Sequence, residues 1–106
     1  MTENIRNLLT ELKSGLLHLY GKRLKGVYLF GSYARGDQDN ESDLDVLIVL
    51  SQFERYGIEL DRTGYLASDL SLKYGVSIST VFMREQEWLQ DDTPLLRNVR
   101  HEGILA

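Results

Sequence analysis

Five acidic residues stand at alternate positions in the segment Leu29–Leu50: Asp37, Asp39, Glu41, Asp43 and Asp45. One base, Arg35, precedes them, and none falls among them. Like charges this close repel, so the segment is either solvated or prepared for a cation. Asp37, Asp39 and Glu41 share their stretch with Gly36, Asn40 and Ser42, the composition of a hydrophilic loop. Asp43 and Asp45 differ, because they open a run whose other members, Leu44 and Val46 to Leu50, are apolar. A strand apolar on both faces is buried on both, and burying an ionised carboxylate without a partner is costly.

Residues i and i+2 of a strand share a face, with Cα atoms about 6.5–7 Å apart. Two carboxylates so placed can converge on one ion, or bridge two ions roughly 3.5–4 Å apart. With no cysteine in the chain and neither histidine nearby, the ion expected is oxygen-loving, Mg²⁺ or Mn²⁺. Such an ion completes its shell with waters and substrate phosphates. "GSYAR" supplies a place for phosphate: Gly31 permits close backbone approach, Ser32 a hydroxyl, and Arg35 a charge-assisted contact. The N–H groups that follow open a short helical turn, which favours anions.

Other chemistries fit poorly. "GSYARG" lacks the Lys-Ser/Thr of a P-loop, and no G-x-G-x-x-G follows a strand. A calcium loop starting at Asp37 would need Gly at 42 and a carboxylate at 48, where Ser42 and Ile48 stand. His18 and His101 have no local support as triad members and read as surface or helix-end residues.

The elements that must position these groups follow from periodicity. Ile5, Leu8, Leu9, Leu12, Leu16, Leu19 and Tyr20 define a helical face that Gly21 closes. "GVYLF" (Gly26–Phe30) reads as a short buried strand, ended by Gly31, with Ser32 as cap of a brief turn through Ala34. A polar connection, Gly36–Ser42, leads to a strand from Asp43 to Leu50. Tyr56 to Lys73 reads as a helix weakened by Gly57 and Gly64, and "VSISTVFM" (Val76–Met83) as a half-buried strand. Thr93 and Pro94 open a last helix that Gly103 ends. The order helix, strand, strand, helix, strand, helix predicts an α+β (α/β-like) domain, a small mixed sheet flanked by helices.

A chain of 106 residues is expected to form a single domain, 1–106, burying roughly 60–70% of its unfolded surface. The absence of cysteine excludes disulfides and thiolate metal sites. No signal segment or apolar run of membrane length is visible, and the expected location is cytoplasmic. A net charge of −4 with scattered bases argues against sequence-independent nucleic-acid binding. A nucleotide held through a divalent cation remains compatible.

Gly31-Ser32, ten residues, then Asp43-x-Asp45 resembles the GS-x10-DxD signature of minimal nucleotidyltransferases (MNT domains) of the DNA polymerase β superfamily. "FGSYARGDQDNESDLDVLIVL" looks particularly like the MntA-type antitoxins paired with HEPN-domain ribonuclease toxins, and the closing "NVRHEGILA" looks like MNT tails. The resemblance implies a polymerase β-type nucleotidyltransferase core using ATP, with Mg²⁺ (or Mn²⁺) held by Asp43 and Asp45 and the triphosphate contacted by Gly31 and Ser32. In the antitoxin branch, AMP passes to a tyrosine of the toxin and silences its ribonuclease activity.

One departure matters. The superfamily commonly supplies a third carboxylate from a later strand, and "VSISTVFM" contains none; Ser77 or Ser79 stands where it is expected. Asp37, Asp39, Glu41, Asp69 or Glu85 could substitute, and the sequence does not choose among them. A small domain has little room for an acceptor-binding module, so the acceptor expected is a partner protein. An acidic chain suits the basic surface of an RNA-cutting toxin. Two alternatives stay open: a catalytically inactive antitoxin that acts by binding alone, and a small-molecule nucleotidyltransferase subunit.

Overall fold

The computed structural model describes residues 1–106. Helix α1 spans Glu3–Tyr20; Thr2 caps it by accepting a bond from the Ile5 N–H, and Gly21 ends it. A 3₁₀ turn, Gly21–Arg23, leads into β1 (Leu24–Phe30). The short α2 (Ser32–Arg35) and a loop connect β1 to β2 (Leu44–Leu50). There follow α3 (Tyr56–Tyr74), β3 (Ile78–Arg84), α4 (Glu85–Gln90), α5 (Pro94–Glu102) and β4 (Ile104–Leu105).

The four strands form one mixed sheet in the order β3-β2-β1-β4. β1 runs antiparallel to both β2 and β4, and β2 runs parallel to β3. A parallel pair requires a long crossover, which α3 provides. On one face Val27, Leu29, Val46, Ile48, Leu50 and Phe82 pack with Ile5, Leu8, Leu12 and Leu16 of α1 and Leu70 of α3. On the other, Leu47 and Val49 pack with Leu96 and Val99 of α5, and Tyr28 stacks on Trp88 of α4 with ring centroids 4.7 Å apart. Covering β2 on both sides explains its run of apolar residues: Val46 to Leu50 are all buried. No helix is long and apolar enough to cross a membrane.

The predicted α+β class and mixed sheet are the observed ones. The predicted helices at 56–73 and after Thr93 differ from the observed ones by at most a residue, and the Thr93 hydroxyl does accept from the Leu96 N–H. Other details differ. The strand expected at Gly26–Phe30 begins at Leu24, the one expected from Asp43 begins at Leu44 so that Asp43 precedes it, and the one expected at Val76–Met83 runs Ile78–Arg84. Leu19, expected on the buried face of α1, is 40% exposed although its angular position falls between the buried Leu8 and Leu12; it stands in the last turn of the helix. Ser32 is the first residue of α2 rather than its cap; Gly31 holds that place and no side chain caps the turn. The short α4 and the two-residue β4 lie below the length at which periodicity signals an element.

Candidate active site

The site is built where β1 ends and β2 begins. Phe30 pairs with Asp45 in the antiparallel ladder, so the turn after β1 and the carboxylate at the start of β2 are neighbours by register. Gly31 adopts φ 77 and ψ −156, a region essentially reserved for glycine. Any Cβ there would overlap Asp45 Oδ2. Glycine is thus required twice: for the backbone angle, and to leave the space that the carboxylate occupies. The carbonyl of Gly31 accepts from the N–H groups of Ala34 and Arg35, both at 3.1 Å, which folds α2 back over this corner. Gly36, with φ 80, terminates the turn.

Asp45 shares a face with Leu47 and Val49 but lies at the open end of that face and is partly exposed; Asp43 precedes the strand and is exposed. None of the chain's six ion pairs includes either residue. Desolvation first, and then the charge of Asp43, push the Asp45 carboxyl above its ordinary range, against a smaller opposing effect of Arg35. Two carboxylates that repel each other, with no base bonded to either, form a site of excess negative charge. The donor set is all oxygen, so the pair fits a hard divalent cation completed by solvent or phosphate oxygens.

Arg35 is held between two other carboxylates: its Nε donates to Asp37 Oδ2 at 3.2 Å and its Nη1 to Glu102 Oε1 at 3.1 Å. Asp37, Asp39 and Glu41 are exposed, as a solvated loop requires. Asp39 Oδ1 accepts from the Glu41 N–H at 2.8 Å and also from the Ser42 hydroxyl, so it shapes the loop as Asx side chains do.

On the neighbouring strand, Ser79 stands directly opposite Asp45. No group of three or more His, Cys, Asp or Glu side chains converges as a metal-binding cluster. Glu85 follows the far end of β3, beyond the Leu50–Arg84 pair, and Asp69 is exposed on α3. Sequence reasoning gave no sign of Glu102, which lies 67 residues from Arg35 along the chain; that contact exists only because α5 and β4 return to β1.

Comparison with known proteins identifies the family. Residues 6–105 match the family model described as a nucleotidyltransferase domain. A presumed protein adenylyltransferase of Methanocaldococcus jannaschii is 37% identical over 101 residues, covering 94% of this chain and 95% of that protein. Among solved structures, a chain from a toxin–antitoxin complex with AMP-PNP superposes with a TM-score of 0.65 at 22% identity, covering 98% of this chain and 72% of that one. A chain from the complex of a tri-AMPylated Shewanella oneidensis HEPN toxin with an MNT antitoxin gives 0.51 at 18% identity, covering 92% and 70%. The chain belongs to the nucleotidyltransferase domain family.

Proposed function

We propose that this chain, as one minimal nucleotidyltransferase domain, is a metal-dependent adenylyltransferase that passes AMP from ATP to a tyrosine of a HEPN-type ribonuclease toxin and so acts as its antitoxin. The observation that carries the reading is the close approach of Asp45 to the glycine turn, which sets two carboxylates without ion-pair partners beside the Gly31–Ser32 backbone. The curated relative's assigned activity and the toxin–antitoxin neighbours point the same way.

In this reading Asp43 and Asp45 hold Mg²⁺ or Mn²⁺. When bound, the cation supplies charge stabilisation for the α-phosphate and for the departing pyrophosphate. Gly31 lets the triphosphate approach the backbone, Ser32 offers a hydroxyl, and Arg35 a charge-assisted contact. The chain's main task is positioning: the tyrosine oxygen must lie in line with the bond to pyrophosphate, so that the new phosphorus–oxygen bond forms as the old one breaks. The acceptor comes from the partner, whose basic surface the net charge of −4 attracts.

The test is incubation with the cognate toxin, ATP and Mg²⁺ followed by intact-mass measurement, expecting AMP additions to the toxin and loss of its ribonuclease activity. An Asp43→Asn, Asp45→Asn chain that still modifies the toxin would refute the assignment. Ser79 opposite Asp45 favours one other reading, a non-catalytic antitoxin. That reading predicts full neutralisation by the same double variant with no mass added.

A further inference from the structure

Arg35 raises a question of orientation. Arg35 is the exposed last residue of the four-residue α2; a guanidinium so placed has many rotamers, and its fork recognises phosphate only when the plane is fixed. Two carboxylates hold it, and they are not equivalent. The Asp37 side chain is 62% exposed and belongs to the loop after α2. The Glu102 side chain is 21% exposed and ends α5, which Leu96 and Val99 anchor in the second core.

The chain beyond Glu102 is pinned as well. The Gly103 N–H donates to the Val99 carbonyl at 2.7 Å, and the Ala106 N–H to the Val27 carbonyl at 2.9 Å. A Cβ on Gly103 would overlap that Val99 carbonyl, so glycine is needed for α5 to turn so tightly into β4. Ile104 then pairs with Leu29. Glu102 ends α5 two residues before that pair, and β4 lies on the side of β1 away from β2. Of the five guanidinium N–H groups, the two bonds use Nε and one hydrogen of Nη1. Nη2 makes no hydrogen bond within the chain, and the Arg35 backbone N–H is bonded to the Gly31 carbonyl at 3.1 Å.

We propose that Glu102 is a positioning residue of the nucleotide site: fixed by the α5–β4 turn, it holds the Arg35 guanidinium so that its Nη2 edge faces the triphosphate. This rests on the reading of the Gly31–Asp45 corner as a nucleotide site, but not on the identity of the acceptor. It gives the C-terminal segment, remote in sequence from the glycine turn and the carboxylate pair, a part in binding the substrate.

The test is calorimetric titration of the chain alone with ATP in Mg²⁺, for wild type, Glu102→Gln, Arg35→Gln and the double variant. Glu102→Gln keeps the side chain's shape, and its thermal midpoint is recorded to separate positioning from folding. Each single substitution is expected to weaken ATP binding about three- to tenfold, and the double variant no more than the weaker-binding single one, since both remove the same contact. Independent, multiplying effects would overturn the inference, as would unchanged affinity in either single variant. Tighter binding in Glu102→Gln would also overturn it, because the carboxylate would then compete with phosphate for Arg35. Failure of the wild-type chain to bind ATP would remove the nucleotide-site reading and this inference together, whereas toxin that binds but is never modified would leave the inference standing.

Discussion

The two ends of the sheet carry carboxylates in opposite circumstances. At one end Glu59, in the first turn of α3, is only 3% exposed. Its Oε1 accepts from the Tyr20 hydroxyl at 2.7 Å and from Arg62 Nε at 3.1 Å. Burial, and then the bond to Glu59, push the Tyr20 hydroxyl far above its ordinary range, so it remains a proton donor. At the other end Asp45 is more exposed, yet no base bonds it and its largest charged influence is another carboxylate. Burial alone therefore does not separate the two acids. What separates them is whether the fold supplies donors: Glu59 has two within the chain, whereas neither Asp43 nor Asp45 joins an ion pair, and in the proposed reading a cation completes them.

The sharpest way to break this contrast is to neutralise the incomplete pair. Asp43→Asn with Asp45→Asn is expected to lower the AMP-transfer rate about a thousandfold or more, with circular dichroism unchanged. Next comes Gly31→Ala, which meets both the backbone angle and the Asp45 carboxylate. It is expected to cost about 1–3 kcal/mol of stability and about a hundredfold in transfer rate, because displaced groups lose alignment. Denaturant melts and single-turnover kinetics check both. An alanine variant with full activity would show that the corner is not where nucleotide binds.

The complete acid predicts the converse. Glu59→Ala leaves the Tyr20 hydroxyl buried without its acceptor, and should lower the unfolding free energy by about 1–3 kcal/mol. Transfer rate per folded molecule should not change, since the lesion lies at the far end of the sheet. Urea melts and active-site-normalised rates measure the two quantities, and a large rate loss at constant stability would erase the distinction between the ends.

The difference between the ends also governs how much was legible beforehand. The glycine turn, the acidic pair and the strands beside them are local in sequence, and local patterns reveal them: an apolar run with two acids at its mouth already implies a buried strand with carboxylates at its open end. The loop character of Asp37, Asp39 and Glu41 was legible for the same reason. Contacts made by chain return were not. Neither the Tyr20–Glu59 bond, 39 residues apart, nor the Arg35–Glu102 pair has any signature in spacing, because each is set by how helices dock on the sheet. Nor did periodicity show that Ser79 would face Asp45, which follows from the parallel register of β2 and β3.

The smallest expected effect tests the contrast on stability alone. Because the folded chain raises the Asp45 pKa, the folded state holds that proton more tightly than the unfolded one. Below the unfolded pKa, about 3.9, both states are protonated and the residue contributes nothing. Between the unfolded and the folded pKa the unfolded chain releases its proton while the folded one still holds it, so the contribution becomes destabilising. Above the folded pKa the carboxylate is ionised in a desolvated place beside Asp43, and the full destabilisation remains at neutral pH. Asp45→Asn alone should therefore raise Tm by about 1–3 °C at pH 7, and the gain should disappear as the pH approaches 4. Added Mg²⁺ should stabilise wild type by binding the folded state and leave the variant unmoved, so that saturating cation narrows the gap. Thermal melts at the two pH values, with and without Mg²⁺, measure all of this. A variant that melts lower than wild type at pH 7 would mean that the Asp45 carboxylate makes stabilising contacts within the chain, and the two ends of the sheet would then be alike.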